Sequence, residues 1–215
     1  MSERTRPSLL IFPCNGNALE ALDCLGESWN FLGFIDDTAA KQASGAHGHR
    51  VMSRAALGDH TDASVLAVPG GPTSYRARRR IIEGLAIPRE RLASVIHPTA
   101  RISPLATLGV NVLIMAGVVI TSNAVIGNHV CLLPNTVVHH DAVIGDWSLV
   151  GSNVSVSGSV KVGENCYIGS GSSIMHGLEI GEGAQVGIGS NVVRNVAAET
   201  CVGGNPAHFL FPAPR

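Results

Sequence analysis

Residues 143–163 read VIGDWSLVGSNVSVSGSVKVG, and every sixth position from Ile144 is aliphatic: Ile144, Val150, Val156, Val162. The stripe continues in both directions, from Ile102 to Ala198, and sixteen of its seventeen members are Ile, Leu or Val. Glycine often follows the aliphatic, as at Gly109, Gly127, Gly145, Gly163 and Gly181. Three residues after the aliphatic comes Asn, Gly or Asp in most hexads, from Asn111 and Gly117 through Asp141 to Gly189 and Asn195. Those residue types tolerate the positive φ of a tight turn. The next position is mostly small or aliphatic, as at Val112, Ala124, Ala142, Val154 and Ala184, which suits an inward corner.

An α-helix repeats its apolar face every 3.6 residues and a plain strand every two, so neither holds a stripe of six. A short flat strand plus one corner per hexad does. Three hexads then make an 18-residue triangular coil, and the coils stack at roughly 4.8 Å, the spacing of paired strands. The spacing therefore predicts nearly six coils of parallel β-helix, an architecture that does not itself fix a chemistry.

Bulk composition agrees. The 215 residues include 25 glycines; 45% are hydrophobic, 4% aromatic and 14% charged, a texture for many short, closely stacked strands. A formal net charge of -1 leaves no electrostatic footprint for nucleic acid or an anionic membrane. The basic run at Arg76, Arg78, Arg79 and Arg80 would spread around a helix and reads as solvated surface. Five scattered cysteines without a C-x-x-C pair argue for reduced thiols in a cytoplasm. No apolar run nears the roughly 20 residues that span a bilayer, and the start MSERTRPSLL lacks a signal-peptide core, so a cytoplasmic protein is expected.

Before Ile102 the period disappears and the texture becomes strand, turn, helix. Strands are expected at Ser8–Phe12, Phe31–Asp37 and Ser64–Val68, with helices over Ala18–Leu25 and Arg76–Leu85. This describes a small parallel Rossmann-like α/β unit, residues 1–96, ahead of a β-helix over 97–215. Ligands of such sheets bind beyond the C-terminal strand ends, here near Asn15, Gly16, Asn17, Asp36, Asp37, Gly70 and Gly71. The same residues also serve as ordinary turn formers and helix caps. A complete G-x-G-x-x-G is missing, which disfavours a dinucleotide.

The strand end GFIDD (residues 33–37), the join Ile96-His-Pro-Thr-Ala100, the hexads carrying His140-Asp141 and the closing Gly204-Asn-Pro-Ala207 together resemble the sugar O- and N-acetyltransferases of the sialic acid and bacillosamine type. The resemblance covers essentially the whole chain and makes the β-helix left-handed. It implies an acetyl-CoA-dependent acyltransferase of glycan biosynthesis, no metal, and a homotrimer with the coenzyme between neighbouring helices. The N-terminal unit would hold a nucleotide-linked amino sugar. By the same resemblance His140 is the base, Asp141 its support, Gly158 an oxyanion donor, and Ser170 and Ile188 line the coenzyme groove. Two positions depart from the pattern: Asn17 stands where the family's first loop offers a histidine, and Leu133 replaces an asparagine seven residues before the base.

The residues allow this chemistry. A sugar amine must lose a proton as it attacks a thioester, imidazole titrates near neutral pH, and an adjacent carboxylate fixes its tautomer. Gly158 lies 18 residues, one coil, after His140 and would let a backbone N–H approach the thioester. Blander readings stand beside it: Asp141 as a turn former, Gly158 as a corner, His139 and His140 as surface rings. Three further functions fit the scaffold. Sugar or sialic acid O-acetylation needs the same base. A zinc carbonic anhydrase-like site would use His140 and His176, two coils apart, but Gly181 stands where its third ligand is expected. A non-catalytic scaffold needs only the repeat.

Overall fold

The computed structural model describes residues 6–213, so the first five residues of the N-terminal reading lie outside them. The N-terminal unit is a four-stranded parallel sheet: β1 (Ser8–Phe12), β2 (Asn30–Ile35), β3 (Val51–Met52) and β4 (Ser64–Ala67), in the order β3-β2-β1-β4. Helices α1 (Gly16–Glu20), α2 (Ala39–Ser44), α3 (Ala56–Asp59) and α4 (Arg78–Glu83) connect or follow the strands. The expected helix at 18–25 is α1 continued as a 3-10 turn over Ala21–Cys24, and the one at 76–85 is a 3-10 turn over Tyr75–Ala77 running into α4. The two-residue β3 carries too little pattern to stand out in the sequence. It pairs with Phe34 and Ile35.

From Val95 the chain winds as a three-sided parallel β-helix of two-residue strands. The first face stacks Val95–Ile96, Leu113–Ile114, Cys131–Leu132, Leu149–Val150, Tyr167–Ile168 and Gln185–Val186; the second runs from Arg101–Ile102 to Asn191–Val192, and the third from Thr107–Leu108 to Glu179–Ile180. Each strand pairs with the one 18 residues on, as Val138 does with Val156 and Ile144 with Val162. The striped aliphatics fill the interior: Ile114, Leu132, Val138, Ile144, Val150, Val156, Ile168 and Ile174 are fully buried. The turn slot takes positive φ in every hexad from Asn111 to Gly189, including His129, Trp147 and Ser159, which are not the usual formers. Gly145 is fixed by stacking rather than by φ, since a Cβ there would lie 2.6 Å from the Gly163 carbonyl oxygen of the next coil.

The corner after the slot is also buried when it is polar. Thr136 donates to Gly151 O and accepts from Val154 N–H (2.6 and 3.2 Å), and Ser148, on another edge, and Ser172 each make the same two bonds to the coil that follows. Each of these hydroxyls therefore finds both a donor and an acceptor, which is what makes its burial tolerable.

The stripe breaks after Val192. Ile180 bridges to Val196 and Val186 pairs with Val202, so the last coil is two residues short, and Ala198 is exposed where an inward residue was expected. Asn195 accordingly lacks the positive φ of the slot, which moves to Glu199. The chain then closes with an antiparallel hairpin of Thr200–Gly204 and Ala207–Pro212.

The N-terminal unit packs on the first face. Leu113, Cys131, Leu149 and Tyr167, which point outward from it, share a core with Leu9, Ile11, Phe34, Leu66 and Val68. The adjoining edge, where the third face turns into the first, is a polar seam. Asn111 accepts from Ala67 N–H at 2.7 Å and donates to Ala67 O at 2.8 Å, and Tyr75 donates to Gly183 O at 2.8 Å. Arg78 corrects the reading of the arginine run as solvated surface: it is completely buried, donating to Trp147 O (2.8 Å), His129 O (2.6 Å) and Pro69 O. Three carbonyls left by the seam need donors, and a guanidinium supplies them in fixed geometry. Arg79 and Arg80 are exposed as expected.

Candidate active site

His140 and Asp141 form the turn joining the second face to the third. Asp141 is at φ 60° and is both things the sequence allowed, a turn former and a partner. Its Oδ2 accepts from His140 Nδ1 at 2.8 Å and its Oδ1 from Asn123 Nδ2 at 3.1 Å. Those two bonds, that of His140 first, hold the Asp141 carboxyl below its usual range. With Nδ1 committed to the carboxylate, Nε2 of His140 is the nitrogen left to take a proton.

That nitrogen lies over Gly158. A Cβ on Gly158 would stand 2.6 Å from both Nε2 and Cε1 of His140, so the glycine is required by the ring above it and not by its own φ. The imidazole of His176 comes from the coil beyond, with ring centroids 6.2 Å apart at 45°. Among the described residues no third His, Cys, Asp or Glu joins these two as a metal-binding group. His139 is half-buried and among the described residues is tied through its backbone, donating to Val156 O at 2.9 Å and accepting from Ala142 N–H at 3.3 Å.

Ser170 and Ile188 are on a different edge, where the first face turns into the second. Ser170 Oγ accepts from Ser152 N–H at 3.1 Å, and Ile188 is 76% exposed. One chain thus does not bring Gly158 together with Ser170 and Ile188.

At the strand ends of the N-terminal unit, Asn15 caps α1 by accepting from Ala18 N–H (2.9 Å) and donates to Val68 O (3.2 Å), while Asn17 donates to Gly70 O (3.3 Å). The two asparagines thereby tie the loop after β1 to the loop after β4. Gly16 and Gly71 face open space; Gly70, at φ 92°, has the Arg78 side chain against it. Asp36 is buried, accepting from Thr38 N–H at 3.0 Å and from Lys41 Nζ at 2.7 Å. Burial would raise its pKa, but the bonds from Lys41 and Thr38 outweigh that and hold it low. Asp37 accepts from Arg54 N–H at 2.9 Å and pairs with its guanidinium at 2.8 Å. Both carboxylates border a cavity of about 380 Å³ with Phe12, Pro13, Thr38 and Arg54. Lys41 and Arg54 were not singled out in the sequence. Nothing in their spacing announces them, because their partners are set by the turn after β2.

The edge holding His140 joins the second and third faces, while the N-terminal unit covers the first. In a three-sided prism that edge is opposite that face. A single chain therefore keeps the Asp36–Asp37 cavity and His140 on opposite sides of the β-helix.

The family described as bacterial transferase hexapeptide (six repeats) matches residues 123–158 and 159–194, which include His140, Asp141, Gly158 and His176. No curated protein matches the chain by sequence. Among solved structures, PerB from Caulobacter crescentus, in complex with CoA and GDP-perosamine, is 25% identical with a TM-score of 0.83, over 98% of this chain and 100% of that one. A histidine-to-asparagine variant of perosamine N-acetyltransferase from Caulobacter crescentus, with the same two ligands, is 26% identical with a TM-score of 0.81 over 98% and 99%. The acetyltransferase domain of PglB from Neisseria gonorrhoeae, 24% identical with a TM-score of 0.85 over 96% and 100%, has the same fold. By its repeat over residues 123–194 and by this likeness along nearly its whole length, the chain is a left-handed parallel β-helix enzyme, an acyltransferase similar to the hexapeptide-repeat sugar N-acetyltransferases.

Proposed function

We propose that the chain transfers acetyl from acetyl-CoA to the amine of a nucleotide-linked sugar, in the cytoplasm and for glycan biosynthesis. The observation that carries this reading is the His140 imidazole, held through Nδ1 by Asp141 at 2.8 Å with its Nε2 free over Gly158. His140 takes the proton as the amine attacks, Asp141 holds the ring in the required tautomer, and the Gly158 amide faces the developing oxyanion. Support for the substrate class comes from the structural neighbour bound to CoA and GDP-perosamine.

In this reading residues 1–96 hold the nucleotide sugar, with Asp36, Asp37 and the loops of Asn15–Asn17 and Gly70–Gly71, while residues 97–215 perform the transfer. Since one chain separates the two, the site needs a second copy, and a closed three-fold ring supplies each His140 edge with a neighbour's N-terminal unit. The outward valines flanking that edge, Val119 and Val137 on one side and Val125 and Val143 on the other, are the apolar surface such a contact buries. The coenzyme would then run between the Gly158 edge of one copy and the Ser170–Ile188 edge of the next.

The test is thermal stabilisation against GDP-, UDP- and dTDP-linked amino sugars and free sialic acids, followed by acetyl transfer scored as thiol release. A ligand at 100 times its Kd adds about 2.7 kcal/mol. We expect a nucleotide amino sugar to raise the transition and to be acetylated. Stabilisation by free sialic acids alone would replace this reading with O-acetylation.

A further inference from the structure

We propose that His176 acts on the departing thiol of the coenzyme, an inference that rests on His140 being the base. The pairing of Val137 with Ser155 and of Ser155 with Ser173 puts residues 140, 158 and 176 at the same place in three successive coils. Two coils separate the backbones of His140 and His176 by roughly 9.6 Å, twice the strand spacing. Their ring centroids are nevertheless only 6.2 Å apart. The rings converge across the space that Gly158, with no side chain, leaves open.

Along the edge the order is therefore base, glycine amide, second imidazole. An amine that gives its proton to His140 reaches a carbonyl over Gly158 from the His140 side. Nitrogen and sulfur are then separate substituents of one tetrahedral carbon, and a coenzyme running towards the later coils of Ser170 and Ile188 brings its sulfur in from the His176 side. Asp141 is spent on His140 and Asn123, and on the third face Lys161 pairs with Glu179 at 3.6 Å. Among the described residues no side chain hydrogen-bonds His176, so its ring nitrogens are free to meet a ligand.

The step balances without another reagent. The C–N bond forms as the carbonyl π pair moves to oxygen, and that pair returns to re-form the C=O bond as the C–S bond breaks with its electron pair going to sulfur. The amine proton passes to His140 Nε2. The His140 imidazolium passes its proton through one bridging water to one ring nitrogen of His176 as the other gives its proton to the departing sulfur, so that amine and thioester become amide and thiol.

The experiment compares leaving groups in the full chain, with the nucleotide amino sugar that turns over fastest as acceptor. With acetyl-CoA, His176→Ala should lower kcat about 10- to 100-fold, near the low end for general acid catalysis. With S-phenyl thioacetate, whose far more acidic thiol leaves without help, the same substitution should cost less than about threefold. His140→Ala should remain costly with both donors. An equal loss on both donors, or no loss with acetyl-CoA, overturns the role of His176 and leaves a ring that only packs or binds. Full turnover by His140→Ala defeats the base assignment instead, whatever His176 does.

Discussion

His129 and Asp141 occupy the same slot of the hexad at the same φ of 60°, on adjacent edges of one prism, yet their surroundings give them opposite uses. At the seam His129 is 8% exposed, stacked on Trp147 at 3.9 Å between centroids, with its Nδ1 3.0 Å from Asn111 Nδ2. Burial pushes its pKa down to about 4, so it stays neutral and serves packing. At the neighbouring edge His140 and Asp141 are exposed and hydrogen-bonded to each other. What separates them is the N-terminal unit, which covers one edge and leaves the other uncovered. A histidine in a repeat corner therefore acquires its role from what is docked on that corner.

The seam should fail first under substitution. Arg78→Ala strands three buried carbonyls and empties the space of the side chain, and we expect a loss of about 3 to 5 kcal/mol in denaturant unfolding. Arg78→Met, which keeps much of the volume, should recover only part of it. A loss under about 1 kcal/mol for the alanine variant would mean that the seam does not hold the two units together.

The exposed edge should respond the other way, in activity and not in stability. Gly158→Ala has no φ penalty to meet, but its methyl meets Nε2 and Cε1 of His140 at 2.6 Å. The ring can swing away cheaply, so the thermal transition should move little. Turnover should fall about 10- to 100-fold, because displacing a positioned base by an ångström or so is that costly. Unchanged turnover would show that the ring need not sit over Gly158.

Acid probes the buried histidine of the seam most gently. Below about pH 6.5 the unfolded chain protonates His129's imidazole while the folded one refuses it, so stability falls as pH drops from there towards 4 and levels off beneath. The loss should be on the order of 2 kcal/mol. Asp36 and Asp141, both held low, add their own losses only in the carboxylate range further down. His129→Asn should flatten melting temperatures between pH 7 and 4.5. An unchanged slope in that variant would remove His129 as the group that resists protonation.

Much of this was legible in the sequence, and the reason is periodicity. Each coil imprints an inward aliphatic and a positive-φ residue every six positions, and the 18-residue arithmetic alone set Gly158 beneath His140 and His176 beyond it. The docking face left a weaker signal that the sequence reading did not take up: Leu113, Cys131, Leu149 and Tyr167 are apolar at outward positions every 18 residues, but Val119, Val137, Val125 and Val143 interrupt the contrast with the polar Ser155, Ser173, Lys161 and Glu179 of the other two faces. The shortened last coil was hidden because Ala198, though smaller than Val196, is non-polar and falls in phase six residues after Val192. Arg78 was hidden because a buried guanidinium looks like its exposed neighbours until the carbonyls around it are in place. The partners of Asp36 and Asp37 come from Lys41 and Arg54, which only the folded turns bring near.

The division between a holding edge and a working edge is tested most directly by His140→Ala, with His139→Ala as its control, assayed for acetyl transfer and for thermal stability side by side. Loss of general-base catalysis predicts turnover down about 100- to 10,000-fold for His140→Ala, with an unchanged transition and near-normal turnover for His139→Ala. Normal turnover in His140→Ala, or its loss in His139→Ala alone, would contradict the account.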